Sequence, residues 1–321
     1  MEIILGVDRI TRPFINPVVT LGNFDGVHLG HQKIFERVKE EASEIHGEAI
    51  VITFEPHPLK ILSPDYCPPL LTLFRKKMML IEKSGIQTVL CIEFSRSFSG
   101  LSPFEFVKEI LVEKVRARKV IVGYNYHFGG GKKGDSQGLK EMANRFNVEV
   151  EVMEPLKIDD GAVSSSRIRQ LLKEGKVVEA SKLLGRDYPI IGKIVEGAKR
   201  GRILGFPTAN LEIPDELYPK EGVYAVQVIW QSQIFDGLAN VGFNPTFLAA
   251  EGKTKGQFSL EVHILGFDRD IYGEEIQVNF RRRIRDELRF SSASLLVEQI
   301  RKDIEWANEN VFRRWTRDDG R

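Results

Sequence analysis

The stretch Val18–Val38, VVTLGNFDGVHLGHQKIFERV, constrains the fold of this chain more than any other. It opens on an apolar run, Val18, Val19 and Leu21, which stops at Gly22 and reads as a short buried strand. A tight turn follows over Asn23-Phe24-Asp25-Gly26, with glycine available for positive φ. Past Gly30 the period changes, and Ile34, Phe35 and Val38 fall on one helical face. The chain therefore passes from strand through a glycine-rich turn into a helix, with His28 and His31 at the helix entrance. A helix N-terminus offers unpaired N–H groups and about half a positive charge, which suits a phosphate. Two imidazoles three residues apart can donate to the same anion. A zinc site would need a third ligand, and Cys67 and Cys91 have no ligand-like spacing.

The same alternation continues through the first half. Strands are expected at 49–54, 88–94, 120–123 and 148–153, with helices at 74–83 and from Pro103 between them. Five such αβ alternations predict a doubly wound parallel sheet. The second strand ends in Glu55-Pro56-His57-Pro58, and two prolines around a histidine predict an extended loop at the sheet's ligand-binding edge. The fourth leads into Tyr124-Asn125-Tyr126-His127-Phe128 and a basic glycine loop with Lys132 and Lys133, directed at phosphates or at solvent. Gly129, Gly131 and Gly134 match a dinucleotide spacing but do not directly follow a strand. Val163-Ser164-Ser165-Ser166-Arg167-Ile168-Arg169 begins a further helix; capping explains one serine, and the rest suggest a second anion site.

From Tyr188 the texture changes to short strands at 189–195, 222–230, 234–241, 258–265 and 275–284, which predict a small antiparallel barrel. A terminal helix follows, capped by Ser291 or Ser292, with Leu295, Ile300 and Ile304 on its inner face, and the tail after Phe312 reads as disordered. Thr208 and Asn210, in Gly205-Phe206-Pro207-Thr208-Ala209-Asn210-Leu211, share a face in an extended segment and offer hard oxygens suited to Mg²⁺. Upstream, Gly197-Ala198-Lys199-Arg200-Gly201-Arg202 is a basic loop able to approach nucleotide phosphates. Glu261 interrupts an apolar strand and is either a general base or an ordinary residue on a wet face. The GKT at 252–254 lacks the glycine a P-loop needs, since position 247 is Phe247.

A net charge of +1 predicts no nucleic-acid partner, and no apolar run approaches the roughly 20 residues of a membrane helix. Without a signal-like leader and with two distant cysteines, the expected compartment is the cytoplasm. Homo-oligomerisation is left open by the sequence.

LGNFDGVHLGH resembles the FMN adenylyltransferase half of the prokaryotic bifunctional FAD synthetases. SSSRIR is similar to that family's SSTxxR signature, with Ser166 where threonine is usual. GFPTANL, GVYAV, ANVGFNPTF, LEVHIL, YGEEIQVNF and IRDELRF resemble a riboflavin kinase domain, with Gly266 where aspartate is common. The resemblance spans Val18 to Phe312. It implies an adenylyltransferase domain over residues 1–186 and a riboflavin kinase domain over 187–321. It further implies catalytic roles for His28, His31, Arg169 and Glu261. Nucleotide contacts fall at Gly22, Asn23, Phe24, Gly30, Ser164, Ser165, Gly197, Lys199 and Gly205. Flavin contacts fall at Pro56, His57, Pro58, Asn125, Phe128 and Arg285, and Mg²⁺ ligands at Thr208 and Asn210. Riboflavin, FMN and ATP are the implied substrates and FAD the final product. Two rivals stay open: one half catalytically idle, or a nucleotide- or flavin-sensing regulator.

Overall fold

The computed structural model describes residues 1–129, 134–197, 201, 204–212, 215–244 and 257–312. It divides into two compact units, Met1–Ser165 and Ser166–Arg321. The first is built on a sheet of six parallel strands: β1 (Glu2–Leu5), β2 (Val18–Leu21), β3 (Ala49–Glu55), β4 (Thr88–Glu93), β5 (Lys119–Gly123) and β6 (Glu149–Met153). Their order across the sheet is β1-β4-β3-β2-β5-β6. The doubly wound expectation holds, and one strand is added to it. β1 escaped notice because Glu2 and its neighbours are mostly exposed; it lies parallel to β4 at the sheet's edge.

This order decides where a ligand goes. The chain leaves β2 for β3 and β4 on one side, then crosses back to lay β5 on the other. A crevice therefore opens beyond the carboxyl ends of β2 and β5, the usual binding position in such sheets. β2 ends at Gly22-Asn23 and β5 at Gly123, followed by Asn125. Helix α1 (Leu29–Glu44) buries Phe35, Val38 and Ala42 against the sheet. Helix α2 (Phe74–Lys83) packs Met78 and Ile81 beside Phe24, Val27 and Phe35. The helix expected from Pro103 begins there, capped by Ser102 and Glu105 in a reciprocal box, and continues as a π-helix over Phe106–Lys114.

The second unit begins with helices α3 (Ser166 onward within Ser165–Lys173) and α4 (Val177–Leu184), and then closes a six-stranded barrel. Its strands are β7 (Tyr188–Val195), β8 (Ala209–Leu211), β9 (Gly222–Trp230), β10 (Gln233–Asn244), β11 (Gln257–Ile264) and β12 (Glu275–Arg285). Their order around the barrel is β7-β8-β11-β10-β9-β12, and every pairing is antiparallel. Alternate residues fill the interior: Ile190, Tyr224, Val226, Val228, Leu260, Val262, Val278 and Phe280 are fully buried. Closure leaves no edge strand. Gly266, where aspartate is common in the family the chain resembles, lies in a turn with φ +65.

The terminal helix α5 (Ala293–Ala307) is capped by Ser292, one of the two serines expected there. Its inner face is partly the one read above: Ile304 packs against the cluster of Ala307, Val311 and Phe312, Ile300 is half-buried, and Leu295 is 47% exposed. Asp303, a polar residue, also turns inward, held by an ionic contact. Arg285 Nε lies 3.0 Å from both carboxylate oxygens of Asp303, and Nη2 lies 2.7 Å from Oδ2. Gln299 adds a third donor to Asp303 at 2.9 Å. The Asp303 side chain is only 4% exposed. Removing one partner of such a pair leaves an uncompensated buried charge, a loss of roughly 3–5 kcal/mol. Asp303→Ala is therefore expected to lower the stability of the barrel unit by about that amount in denaturant unfolding, whereas Leu295→Ala should stay within about 0.5 kcal/mol of the parent.

Candidate functional site

The candidate residues fall into two groups, one in each unit. In the first, the turn after β2 is strained: Phe24 has φ 50, Gly26 φ 88 and Val27 φ 39. A β-branched residue at positive φ is unfavourable by about 1–3 kcal/mol and persists only where its surroundings over-determine it. Here they do. The Asp25 carboxylate is 5% exposed and accepts from the Leu71 N–H at 3.0 Å, the Thr72 N–H at 2.9 Å and the Thr72 hydroxyl at 3.1 Å. Gly26 N–H donates to Thr72 Oγ1 at 3.0 Å. The Asp25 carbonyl accepts from Ser165 Oγ at 2.8 Å, so the serine motif is tied to the same turn.

The turn delivers two imidazoles. His28 is the N-cap of α1, and its ring accepts the His31 N–H at 3.3 Å. The rings stack 3.5 Å apart at 17°. Phe24 meets His31 edge-on at 5.2 Å from beneath, so its buried ring orients the histidine. A Cβ at Gly30 would stand 3.2 Å from the His28 ring, which explains glycine there. Gly22 N–H donates to Ile52 O at 3.1 Å, fixing the turn to β3. The paired histidines at a helix N-terminus, expected from spacing, are thus assembled.

The flavin-side residues are only partly as expected. The loop after β3 is not extended throughout: Pro58 opens a short helix, Pro58–Leu62, with His57 as its N-cap. Proline suits that first position because its missing N–H would be unsatisfied there. His57 Nδ1 accepts the Leu59 N–H at 3.2 Å, and Nε2 lies 3.4 Å from the Asn23 amide. Asn125 is exposed at the end of β5. Phe128 is not presented outward. It is 7% exposed, stacked on Tyr126 and packed against Phe106 in the core. Ser164 and Arg169 are half-buried, at the start of and within the Ser165–Lys173 helix. Lys132 and Lys133 lie outside the described residues.

In the barrel, Thr208 and Asn210 are half-buried on consecutive outward positions, and two glycines press on them. A Cβ at Gly197 would collide with the Asn210 amide, and one at Gly201 would lie 3.3 Å from Thr208 Oγ1. Gly197 and Gly201 therefore lie against the two side chains, and Gly205 has φ +82. Lys199 lies outside the described residues, as do positions 252–254. Asn210 is paired in register with Glu261, and Glu261 with Asn240, so their Cβ atoms are about 5 Å apart on neighbouring strands; the Asn240 amide donates to Glu287 Oε1 at 2.9 Å. Glu261 is on the outer face, half-buried, with Leu260 and Val262 inside. His263 Nδ1 donates to Pro207 O at 2.8 Å and packs on Phe206, holding the Thr208–Asn210 segment to β11. A cleft of about 400 Å³ beside Thr208 is lined by Ile194, Ala209, Val262, Phe267, Ile271 and Tyr272. Arg285 donates to Asp303 and to Asp286 O.

Asp25, Thr72 and His263 were not singled out from sequence, since each acts through a partner distant along the chain. The strand-like alternation around His263 gave the only advance signal.

The comparisons agree with this division. The FAD synthetase family matches residues 13–167 and the riboflavin kinase family residues 184–311. The bifunctional riboflavin kinase/FMN adenylyltransferase of Buchnera aphidicola subsp. Schizaphis graminum is 38% identical over 307 residues, covering 95% of this chain and 97% of that protein. That family includes this chain. The bifunctional riboflavin kinase/FMN adenylyltransferase of Escherichia coli K12 is 34% identical, with 96% of this chain and 97% of that protein covered. A crystal structure titled macrolide-efflux protein, from Streptococcus pneumoniae, superposes with a TM-score of 0.85 at 34% identity, covering 96% of this chain and 99% of that one. Among the described residues no helix is long and apolar enough to cross a membrane. Within this bifunctional family, Gly197→Ala is expected to displace the Asn210 amide and depress riboflavin phosphorylation while adenylylation of supplied FMN continues; flavin chromatography of both half-reactions checks it.

Proposed function

We infer that this chain is a bifunctional enzyme of flavin cofactor synthesis, and we assign its steps to named residues. It phosphorylates riboflavin to FMN with ATP in the C-terminal unit and transfers an adenylyl group from ATP to FMN in the N-terminal unit, giving FAD and pyrophosphate. The observation that carries the assignment is the presence of two assembled groups, the stacked His28–His31 pair and the Asn210–Glu261 register pair.

In the kinase step the terminal ribityl hydroxyl attacks the γ-phosphorus of ATP and ADP leaves. Glu261 takes the hydroxyl proton, with Asn210 in register beside it on the neighbouring strand. The donor set suits Mg²⁺: a hydroxyl and an amide oxygen, hard ligands under a glycine loop that a Cβ would obstruct. Thr208 and Asn210 would hold the ion, which when bound neutralises charge on the β- and γ-phosphates. The cleft beside Thr208, lined by Ile194, Phe267 and Tyr272 together with Asp268, Arg269 and Asp270, would take the adenosine. The Gly197–Gly205 loop, with Lys199, would cover the phosphates.

In the adenylyl step a phosphate oxygen of FMN attacks the α-phosphorus, and pyrophosphate departs. His28 and His31 donate to phosphate oxygens as negative charge builds, aided by the N–H groups of α1. Gly22, Asn23 and Gly30 let the backbone approach, Phe24 sets the ring of His31, and Ser164, Ser165 and Arg169 supply further phosphate contacts. Pro56, His57, Pro58 and Asn125 form the flavin side; Phe128 supports it from the core, and Arg285 acts in the other unit by anchoring α5. ATP and magnesium are supplied in the cytoplasm, and we place the enzyme there.

The test separates the two steps. Glu261→Gln should lower riboflavin phosphorylation roughly 10²–10⁴-fold and leave FMN adenylylation intact. His31→Ala should lower adenylylation roughly 10²–10³-fold and leave phosphorylation intact. Formation of FMN without FAD by the wild-type chain would make the N-terminal unit idle, and binding without any product would make the chain a sensor.

A further inference from the structure

Two consecutive lysines of α2, Lys76 and Lys77, are each 6% exposed, although lysine is almost never fully buried unless paired. The Lys77 ammonium has a defined set of partners. Nζ donates to Thr53 Oγ1 at 3.3 Å and to Phe54 O at 3.3 Å, and it lies 3.7 Å from Glu55 Oε2. The Thr53 hydroxyl in turn donates to Asn23 O at 3.4 Å. One buried cation thus reaches the ends of two neighbouring strands. Through Thr53 it holds the turn that leads to His28 and His31. Through Phe54 and Glu55 it holds the start of the loop carrying Pro56, His57 and Pro58. The Asn23 amide and His57 Nε2, 3.4 Å apart, close the circuit on the far side.

We propose that Lys77 is a positioning residue of the adenylyl-transfer site, setting the phosphate-side turn and the flavin-side loop in register with each other. The proposal rests on the assignment of adenylyl transfer to this unit and extends it to a residue remote from the reacting atoms. Three features favour a functional over a packing role. First, the site is expensive: burial lowers the Lys77 ammonium below the ordinary lysine range, partly offset by Glu55, Cys91 and Asp25. A methionine of similar length would fill the same space without that desolvation. Second, its hydrogen bonds go to strand ends at the ligand edge, and not to its own helix. Third, α2 follows directly from Leu71 and Thr72, the residues that Asp25 clamps, so one element controls the turn from both ends.

The turn and the loop must present ATP and FMN with reacting atoms within a few tenths of an ångström of their productive separation. A misplacement of about 1 Å costs roughly 10²-fold in rate. Lys77→Met is therefore expected to reduce kcat/KM for FMN adenylylation by about 10²-fold, with riboflavin phosphorylation unchanged in the same preparation. Thermal unfolding should change little, because the ionic partner Glu55 is 40% exposed and stays hydrated when the ammonium is removed. Lys77→Arg, which keeps the charge and the donors, should recover part of the lost activity. A purely structural lysine gives the opposite pattern, with lower stability and both activities falling together. That pattern would overturn the proposal, as would adenylylation by Lys77→Met indistinguishable from the wild type. Failure of the wild-type chain to make FAD from FMN and ATP would instead overturn the assignment on which the proposal rests, and the proposal with it.

Discussion

The adenylyl-transfer half of this molecule depends on one buried carboxylate. Asp25 sits in a turn whose backbone is unfavourable at Phe24 and Val27, yet that turn must be rigid for His28 and His31 to stack at a helix N-terminus. Its oxygens take two backbone N–H groups and a hydroxyl from Leu71 and Thr72, and its carbonyl takes the Ser165 hydroxyl. Hydrogen bonds to a charged acceptor contribute about 1.5–3 kcal/mol each, enough together to offset the strain. The carboxylate thus joins the histidine turn, the 71–72 segment and the serine motif at one point. Sheet topology supplies the location and this network the precision.

The barrel solves a similar problem without strain. A closed antiparallel barrel fixes register over its whole circumference, so residues on different strands can be matched to a fraction of a pleat. That brings Asn210, Glu261 and Asn240 side by side from three strands far apart in sequence. Gly197 lies directly against the Asn210 amide, where any larger residue would push it aside. In both units the candidate groups are placed by backbone, with side chains from remote elements locking the backbone.

Much of this was legible in the sequence, because periodicity reports local burial faithfully. The change from period 2 to period 3.6 at Gly30 located β2 and α1, and regularly spaced strands announced the barrel. What was not legible depended on partners brought together by folding. Arg285 resembles a flavin-side arginine, and its partner Asp303 lies on a helix whose apolar pattern gives no sign of a buried carboxylate; of that pattern Ile304 packs inward and Leu295 is exposed. Phe128 matched a ligand position by motif, while the core around Phe106 claims its ring. The polar character of Glu2 hid an edge strand. Asp25 read as part of a turn and Lys77 as one position of an expected helix, since neither carries any local sign of its distant acceptor or donor.

The central claim is that two independent sites, each with its own ATP, act in sequence on one flavin. A mixing experiment tests it most directly. The Glu261→Gln and His31→Ala proteins, each supplied with riboflavin, ATP and magnesium, are combined in equal amounts and their flavins are separated. The account predicts that neither protein alone converts riboflavin to FAD at an appreciable rate, and that the mixture does, because FMN released by one is taken up by the other. A mixture no more productive than its components, although each still performs its own half-reaction, would contradict it.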